Sequence, residues 1–229
     1  MLKIYIERYD PMPVRIRYMD NYLIICEKPV GISSESPGLP DLLLEQTGKK
    51  VFPVHRLDRS TGGLIISAFS PDSCSSMQRL FQLDQIEKEY LAVVSGKPSE
   101  MAGFYHDLLY HDKRQNKTYI VKNIRKGVKD ALCEWNILQT VPFEKSTLSL
   151  IKVMLHSGRT HQIRVQFGSR RMPLVGDRKY GSRISSDAPA LWSCSIRFSH
   201  PCAIGQTVAV SSFPPSVFPW NLFETGFYE

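Results

Sequence analysis

Short apolar runs of strand length, separated by turn residues and only now and then by a helix-length segment, limit the folds open to this chain. Leu2, Ile4 and Ile6 alternate as a strand does, the turn Asp10-Pro11-Met12-Pro13 follows, and Val14, Ile16 and Tyr18 resume the alternation. Tyr22 to Cys26 reads as a short buried strand stopped by Pro29 and Gly31. The same pattern predicts strands over 64–69, 90–95, 117–121, 131–139 and 147–155. Helices are predicted over 41–46, ending at Gly48; over 73–81, with Pro71 and Asp72 near its start; and over 160–167, with Gly168 as a left-handed cap. Strands outnumber helices and the two do not alternate regularly. The expectation is an α+β fold with a largely antiparallel or mixed central sheet flanked by helices.

The length of 229 residues allows roughly 70% of the unfolded surface to be buried. With 42% hydrophobic and 22% charged residues the composition is that of a globular protein and excludes a disordered or fibrous chain. No repeat or low-complexity linker divides it, so residues 1–229 are expected to form one domain. Lys and Arg exceed Asp and Glu by 29 to 22, a net charge of +7. All of that excess lies between Tyr105 and Arg183, where sixteen basic and six acidic residues give +10; the remainder carries −3. Four clusters make up the excess: Lys113, Arg114 and Lys117; Lys122, Arg125, Lys126 and Lys129; Arg170 and Arg171; and Arg178, Lys179 and Arg183. A solvated face explains any one of them, whereas the set favours a phosphate backbone as partner.

The N-terminus has no signal-peptide core. The longest uncharged run, 198–223, is broken by Pro201, Gly205, Pro214, Pro215 and Pro219, which argues against a membrane helix. Five cysteines without a Cys-x-x-Cys pair suggest neither disulfides nor a zinc site, and fit a reducing cytoplasm.

Three segments are dense in groups able to do chemistry. His55-Arg-Leu-Asp-Arg-Ser-Thr-Gly-Gly-Leu64 places an acid, two arginines and a histidine in a tight loop before a strand. On its own, Asp58 there could equally cap local backbone N–H groups. In Leu155 to Phe167 a helix from Thr160 would place Arg164 on one face with Thr160, and Ile163 with Phe167 on another. Tyr90, in Lys88 to Gly96, stands at the start of an apolar strand. No Gly-x-Ser-x-Gly elbow accompanies these residues, so a serine hydrolase is not supported. His156 and His161 are expected to lack a partnering carboxylate, which leaves no zinc site.

Jointly these segments resemble the RluA-type family of pseudouridine synthases. Leu23 to Ile32 is similar to its opening Lys-Pro-x-Gly segment, and His55 to Leu64 to its catalytic His-Arg-Leu-Asp-x-x-Thr-Ser-Gly-Leu motif. Lys88 to Gly96 resembles its Lys-x-Tyr-x-Ala-x-Val-x-Gly motif. Gly158 to Arg164 and Pro173 to Gly181 follow its basic motif and the segment after it, and Phe198-Ser-His-Pro201 its usual ending. Three positions depart: Gly62 stands for the usual Ser, Gln166 for a common His, and Trp192-Ser193 for a frequent His-Ala.

The resemblance implies an isomerase that converts uridine to pseudouridine in structured ribosomal or transfer RNA, with no cofactor and no metal. It implies Asp58 as the catalytic acid or nucleophile, Arg164 as its ion-pair partner and Tyr90 as the group stacked on the target base. Arg56 would fill the space left by the flipped base. His55, Arg59, Lys113, Arg114, Lys117, Arg159, His161, Arg170 and Arg171 are expected to assist flipping or hold RNA. The strands at the N-terminus leave no room ahead of the catalytic domain for the S4-type domain of some relatives. A cytoplasmic monomer with no obligate protein partner is expected. A catalytically idle RNA-binding protein of the same fold is the alternative.

Overall fold

The computed structural model describes residues 13–224 and Gly226; the strand expected at 2–6 and most of the turn after it lie outside them. The described strands are β1 (Ile16–Met19), β2 (Leu23–Lys28), β3 (Phe52–Pro53), β4 (Gly62–Ala68), β5 (Ile86–Ser95), β6 (Ala102–Asp112), β7 (Lys117–Val121), β8 (Val128–Phe143), β9 (Ser146–Leu155), β10 (Leu191–Ser199) and β11 (Thr207–Ser211). They form one sheet in the order β1-β2-β4-β10-β5-β9-β8-β6-β7, with β11 also on β10 and β3 on β4. Only the β4–β10 pair is parallel. The α-helices are α1 (Leu39–Thr47), α2 (Pro71–Gln82) and α3 (Gln162–Ser169). The α+β class and the largely antiparallel, mixed sheet are as the sequence indicated.

Local chemistry explains the helix ends. Gly48 closes α1 in the left-handed conformation (φ 69°), its N–H donating to the Leu44 carbonyl at 2.9 Å. Ser70 caps α2 by accepting from the Ser73 N–H at 3.1 Å. The helix expected from Thr160 instead begins at Gln162, with His161 at its N-cap in a left-handed conformation (φ 56°). Gly168 is not a left-handed cap either. It lies within α3, and a Cβ there would meet the Tyr180 carbonyl oxygen at 2.9 Å, so glycine is needed for close approach. Arg171 takes the left-handed position instead (φ 63°).

β6, β10 and β11 were not expected from the sequence. In β6 only Tyr105 and Leu109 are buried, so its apolar signal is thin. β10 does carry an alternating signal, with buried Trp192, Cys194, Ile196 and Phe198 set between the polar Ser193, Ser195, Arg197 and Ser199, and was overlooked despite it.

Where β4 runs beside β10, two of the family departures prove to be neighbours. A Cβ on Gly62 would stand 2.3 Å from Cζ3 of Trp192, and one on Gly63 (φ 105°) would stand 2.3 Å from the Ser193 carbonyl oxygen. The Trp192 indole occupies the volume that the usual serine would need, and its Nε1–H donates to Ser212 Oγ at 3.2 Å. Gly62→Ser alone should therefore overpack this contact and destabilise the protein by about 1–3 kcal/mol. Combined with Trp192→His it should cost less than the two single changes summed, a coupling that urea denaturation of the double-mutant cycle measures.

Candidate active site

The loop between β3 and β4 carries Asp58, and the segment after β2 holds that loop by its backbone. The Lys28 ammonium is fully buried and donates to the carbonyls of Pro29 (2.9 Å), Ile32 (2.9 Å) and Arg59 (3.3 Å). Burial pushes its pKa down to about 8, against the attraction of Asp58. Ser34 Oγ donates to the Leu57 carbonyl at 2.9 Å and accepts the Leu57 N–H at 3.0 Å. The Gly31 N–H donates to the Arg59 carbonyl at 2.8 Å, and Arg59 Nε to the Gly31 carbonyl at 2.6 Å. The Asp58 carbonyl accepts the Thr61 N–H at 2.9 Å. Asp58 is thus fixed from both sides, and its carboxylate stays one-fifth exposed in a cleft.

α3 supplies the cation. Positions 162 to 167 are all buried, so Arg164 projects into the interior. Its Nε and Nη2 donate to Asp177 at 2.6 and 2.9 Å, and Nη1 donates to Asp58 Oδ2 at 3.0 Å. Burial alone would lower its pKa, but the two carboxylates outweigh that and raise it. Tyr90, opposite Val153 on β9 and Ser193 on β10, lines the same cleft. Burial chiefly, and Asp58 further, push the phenol pKa up, so it stays protonated. Thr61 Oγ1, also at the cleft, is buried without a hydrogen-bond partner among the described residues.

The structure brings together Asp58, Arg164, Tyr90, Arg56, Arg159 and His161 around one cleft. Arg56 is exposed, with Nη1 3.3 Å from Glu35 Oε1 across an equally exposed pair. Arg159 is exposed, with Nε on the Asp130 carbonyl at 2.9 Å. Lys113 and Arg114 are exposed in the β6–β7 turn, and Lys117 lies over the Tyr119 and Tyr180 rings at 5.6 and 5.7 Å. Arg171 is exposed beyond α3.

Two expected RNA contacts are placed inward instead. His55 accepts the Ile66 N–H at Nε2 (3.0 Å) and packs on Phe81 with ring centroids 4.7 Å apart, away from the cleft lining. Arg170 pairs with both Asp107 oxygens at 3.1 Å and stacks 3.9 Å from the Tyr105 ring centroid. The expectation that His156 and His161 lack carboxylates is also corrected. His156 Nε2 is 2.8 Å from Glu134, and His161 Nε2 is 3.6 Å from Asp58 Oδ2. No group of three His, Cys, Asp or Glu among the described residues could hold a metal.

A family model described as RNA pseudouridylate synthase matches residues 22–169 of the chain. The chain belongs to this family, in its RluA-type branch. It is an isomerase that converts uridine in RNA to pseudouridine. The synthase is 31% identical to an uncharacterised RNA pseudouridine synthase of Aquifex aeolicus, over 94% of this chain and 70% of that protein. It is 28% identical to tRNA pseudouridine synthase C of Haemophilus influenzae, over 82% and 88% of the two chains. With the ribosomal large subunit pseudouridine synthase C of Buchnera aphidicola it shares 34% identity, over 81% and 62%. The human RNA pseudouridylate synthase domain containing 1 has the same fold (TM-score 0.76, 22% identity, 89% of this chain and 84% of that one).

Sequence reasoning about the synthase named neither Asp177 nor Tyr180 nor the caging role of Lys28. Asp177 and Tyr180 lie in the Pro173–Gly181 segment that resembles the family, and that resemblance was the available signal. Gln166, the third departure, fills a fully buried hub, donating from Nε2 to Asp107 Oδ2 (2.9 Å) and to the Tyr105 carbonyl (3.1 Å).

The two inward histidines have a consequence for stability. Burial pushes the His55 pKa down to about 3 and the His161 pKa down to about 4. Between those values and the unfolded value near 6.5 the unfolded chain binds protons that the folded one refuses. Stability should thus be full above about pH 6.5 and fall as the pH is lowered toward 4. In urea titrations across that window His55→Gln, which keeps an acceptor but cannot titrate, should show a shallower decline.

Proposed function

We propose that this synthase acts on specific uridines of structured ribosomal or transfer RNA, with Asp58 as its catalytic carboxylate. The observation that carries the reading is the Asp58 carboxylate, open to the cleft beside Tyr90 and held by Arg164. Isomerisation breaks the C1′–N1 bond, turns the uracil, and joins C1′ to C5; the C5 proton leaves and N1 gains one. Atoms and charge balance without a redox partner, so the reading needs no cofactor. Asp58 acts on the sugar or base through its carboxylate, which the Arg164 guanidinium holds at 3.0 Å. Tyr90 stacks on the base as a neutral phenol, able to assist proton transfer at C5.

The uracil must leave its stack first, at a cost of a few kcal/mol. Arg56, at the cleft edge and exposed, enters the vacated space, where its flat guanidinium can stack and donate. Exposed Arg59, Arg159, Arg171, Lys113 and Arg114, with half-buried Lys117, offer the positive charge for the backbone, a contribution that falls steeply with salt. The names of the relatives, for transfer RNA and for the large ribosomal subunit, support those two substrate classes. The reading takes residues 1–229 as one catalytic domain, consistent with one continuous sheet, and as a cytoplasmic monomer, consistent with five free cysteines.

Asp58→Asn should keep RNA binding and lose at least about 10²-fold in tritium release from RNA labelled at uridine C5. Release within a few-fold of wild type would remove Asp58 from the chemistry and favour another acid. Arg56→Ala should slow the reaction on duplex-embedded uridines more than on single-stranded oligonucleotides; equal effects on both would exclude a flipping role.

A further inference from the structure

His161 stands at the N-cap of α3 in a left-handed conformation, its ring almost wholly buried, with Nδ1 hydrogen-bonded and Nε2 facing Asp58. Nδ1 is 2.9 Å from the Tyr180 hydroxyl, and Nε2 is 3.6 Å from Asp58 Oδ2. Which nitrogen carries the proton follows from the partners. The Tyr180 hydroxyl oxygen accepts the Thr118 backbone N–H at 2.8 Å. Thr118 Oγ1 spends its own proton on the Thr160 carbonyl at 2.8 Å and so accepts from His111 Nδ1 at 3.1 Å. The Tyr180 proton is then left for His161 Nδ1. An imidazole that accepts at Nδ1 carries its proton on Nε2, the nitrogen facing Asp58.

We propose that His161 is a positioning residue: locked by Tyr180 with its proton on Nε2, it holds Asp58 Oδ2 together with Arg164 and leaves Oδ1 to face the substrate. The inference deepens the reading of Asp58 as the catalytic carboxylate and rests on it. Among the described residues, both polar contacts of the Asp58 carboxylate fall on Oδ2. At 3.6 Å the Nε2 contact is longer than a hydrogen bond, and it closes to one as the occupied cleft tightens.

The surroundings keep the ring neutral while it does this. Burial pushes its pKa down to about 4; Arg164 on its own helix, Lys179 on the turn Arg178–Tyr180 and His111 on β6 push the same way, and Asp58 opposes them. Asp58 itself is faced by Lys28 from β2, Tyr90 from β5, and Arg164 and His161 from the α3 side. A neutral donor orients the carboxylate without adding a second cation beside Arg164.

Proton–nitrogen long-range NMR of the wild-type protein reads the tautomer without reference to activity. Between about pH 6 and 8 the His161 proton should sit on Nε2. Single-turnover kinetics then separate position from architecture. His161→Met should lower kcat about tenfold with KM for RNA unchanged, and move the acid limb of the pH–rate profile upward. His161→Gln, whose Nε2–H reaches the same place, should recover most of kcat and the wild-type limb. Tyr180→Phe should lose part of kcat and populate both tautomers. A His161 proton on Nδ1, or His161→Gln as slow as His161→Met, together with inactive Asp58→Asn, overturns this inference alone. Full activity of Asp58→Asn overturns both it and the reading of Asp58.

Discussion

One guanidinium, sealed inside the molecule between two carboxylates, is the contact on which the site depends. Taking Arg164 out of water costs several kcal/mol, and Coulomb attraction offsets that only where the geometry is good and the N–H groups are used. Asp177, almost fully buried, meets Nε and Nη2 in a two-point fork that fixes the plane of the group. Once the plane is fixed, Nη1 has one direction left, and it points at Asp58 Oδ2. The Tyr180 ring lies against the guanidinium, its centroid 5.3 Å from the central carbon. A lysine could supply the charge and three donors here, but not the flat, rigid fork that sets their directions. The ion pair with Asp58 is therefore a consequence of the ion pair with Asp177.

The same division between holding and acting runs through the Asp58 loop. Its backbone is tied to the segment after β2 by the Lys28 ammonium, the Ser34 hydroxyl and the Gly31–Arg59 exchange. None of those groups needs to touch a substrate. A buried ammonium bound to three carbonyls is costly to disturb, because any displaced carbonyl leaves a charge without compensation. The loop is thus held rigid through its backbone, and its side chains are free to face the cleft.

Much of this was legible from spacing, and some of it was not. The positions of β2, β4, β5 and β9 followed from largely buried apolar runs, and that of β8 from alternation, with Ala131, Cys133, Trp135 and Ile137 buried. β6 escaped because few of its residues are buried; β10 was overlooked although Trp192, Cys194, Ile196 and Phe198 alternate with polar residues, and its central position is a property of topology rather than of any one run. That Asp58, Tyr90 and Arg164 share one cleft was readable because the segments holding them resemble a family in a fixed order. Asp177 was not singled out: an aspartate next to Arg178 in the sequence looks like a surface pair, and only the fold turns it inward to Arg164. That His55 and Arg170 turn to protein partners was not readable, since a polar residue within a basic motif carries no sign of which way it points. Gly62 and Trp192 are 130 positions apart and share one contact, which no local pattern contains.

The charge of the chain divides along the same line. Around the cleft floor Asp58 and Asp177 face Arg164 and Lys28, two anions against two cations, with His161 neutral between them. The floor therefore holds no net charge with which to draw in a polyanion. On the reading proposed above, attraction comes from exposed charges outside the floor: Arg56 and Arg159 at the cleft, and Arg59, Lys113 and Arg114 elsewhere on the surface, all screened by salt. On that reading binding is left to groups that water can screen, and chemistry to groups that it cannot. A balanced floor also lets a neutral uracil enter without unpairing a buried ion, which a surplus charge at Asp58 would not allow.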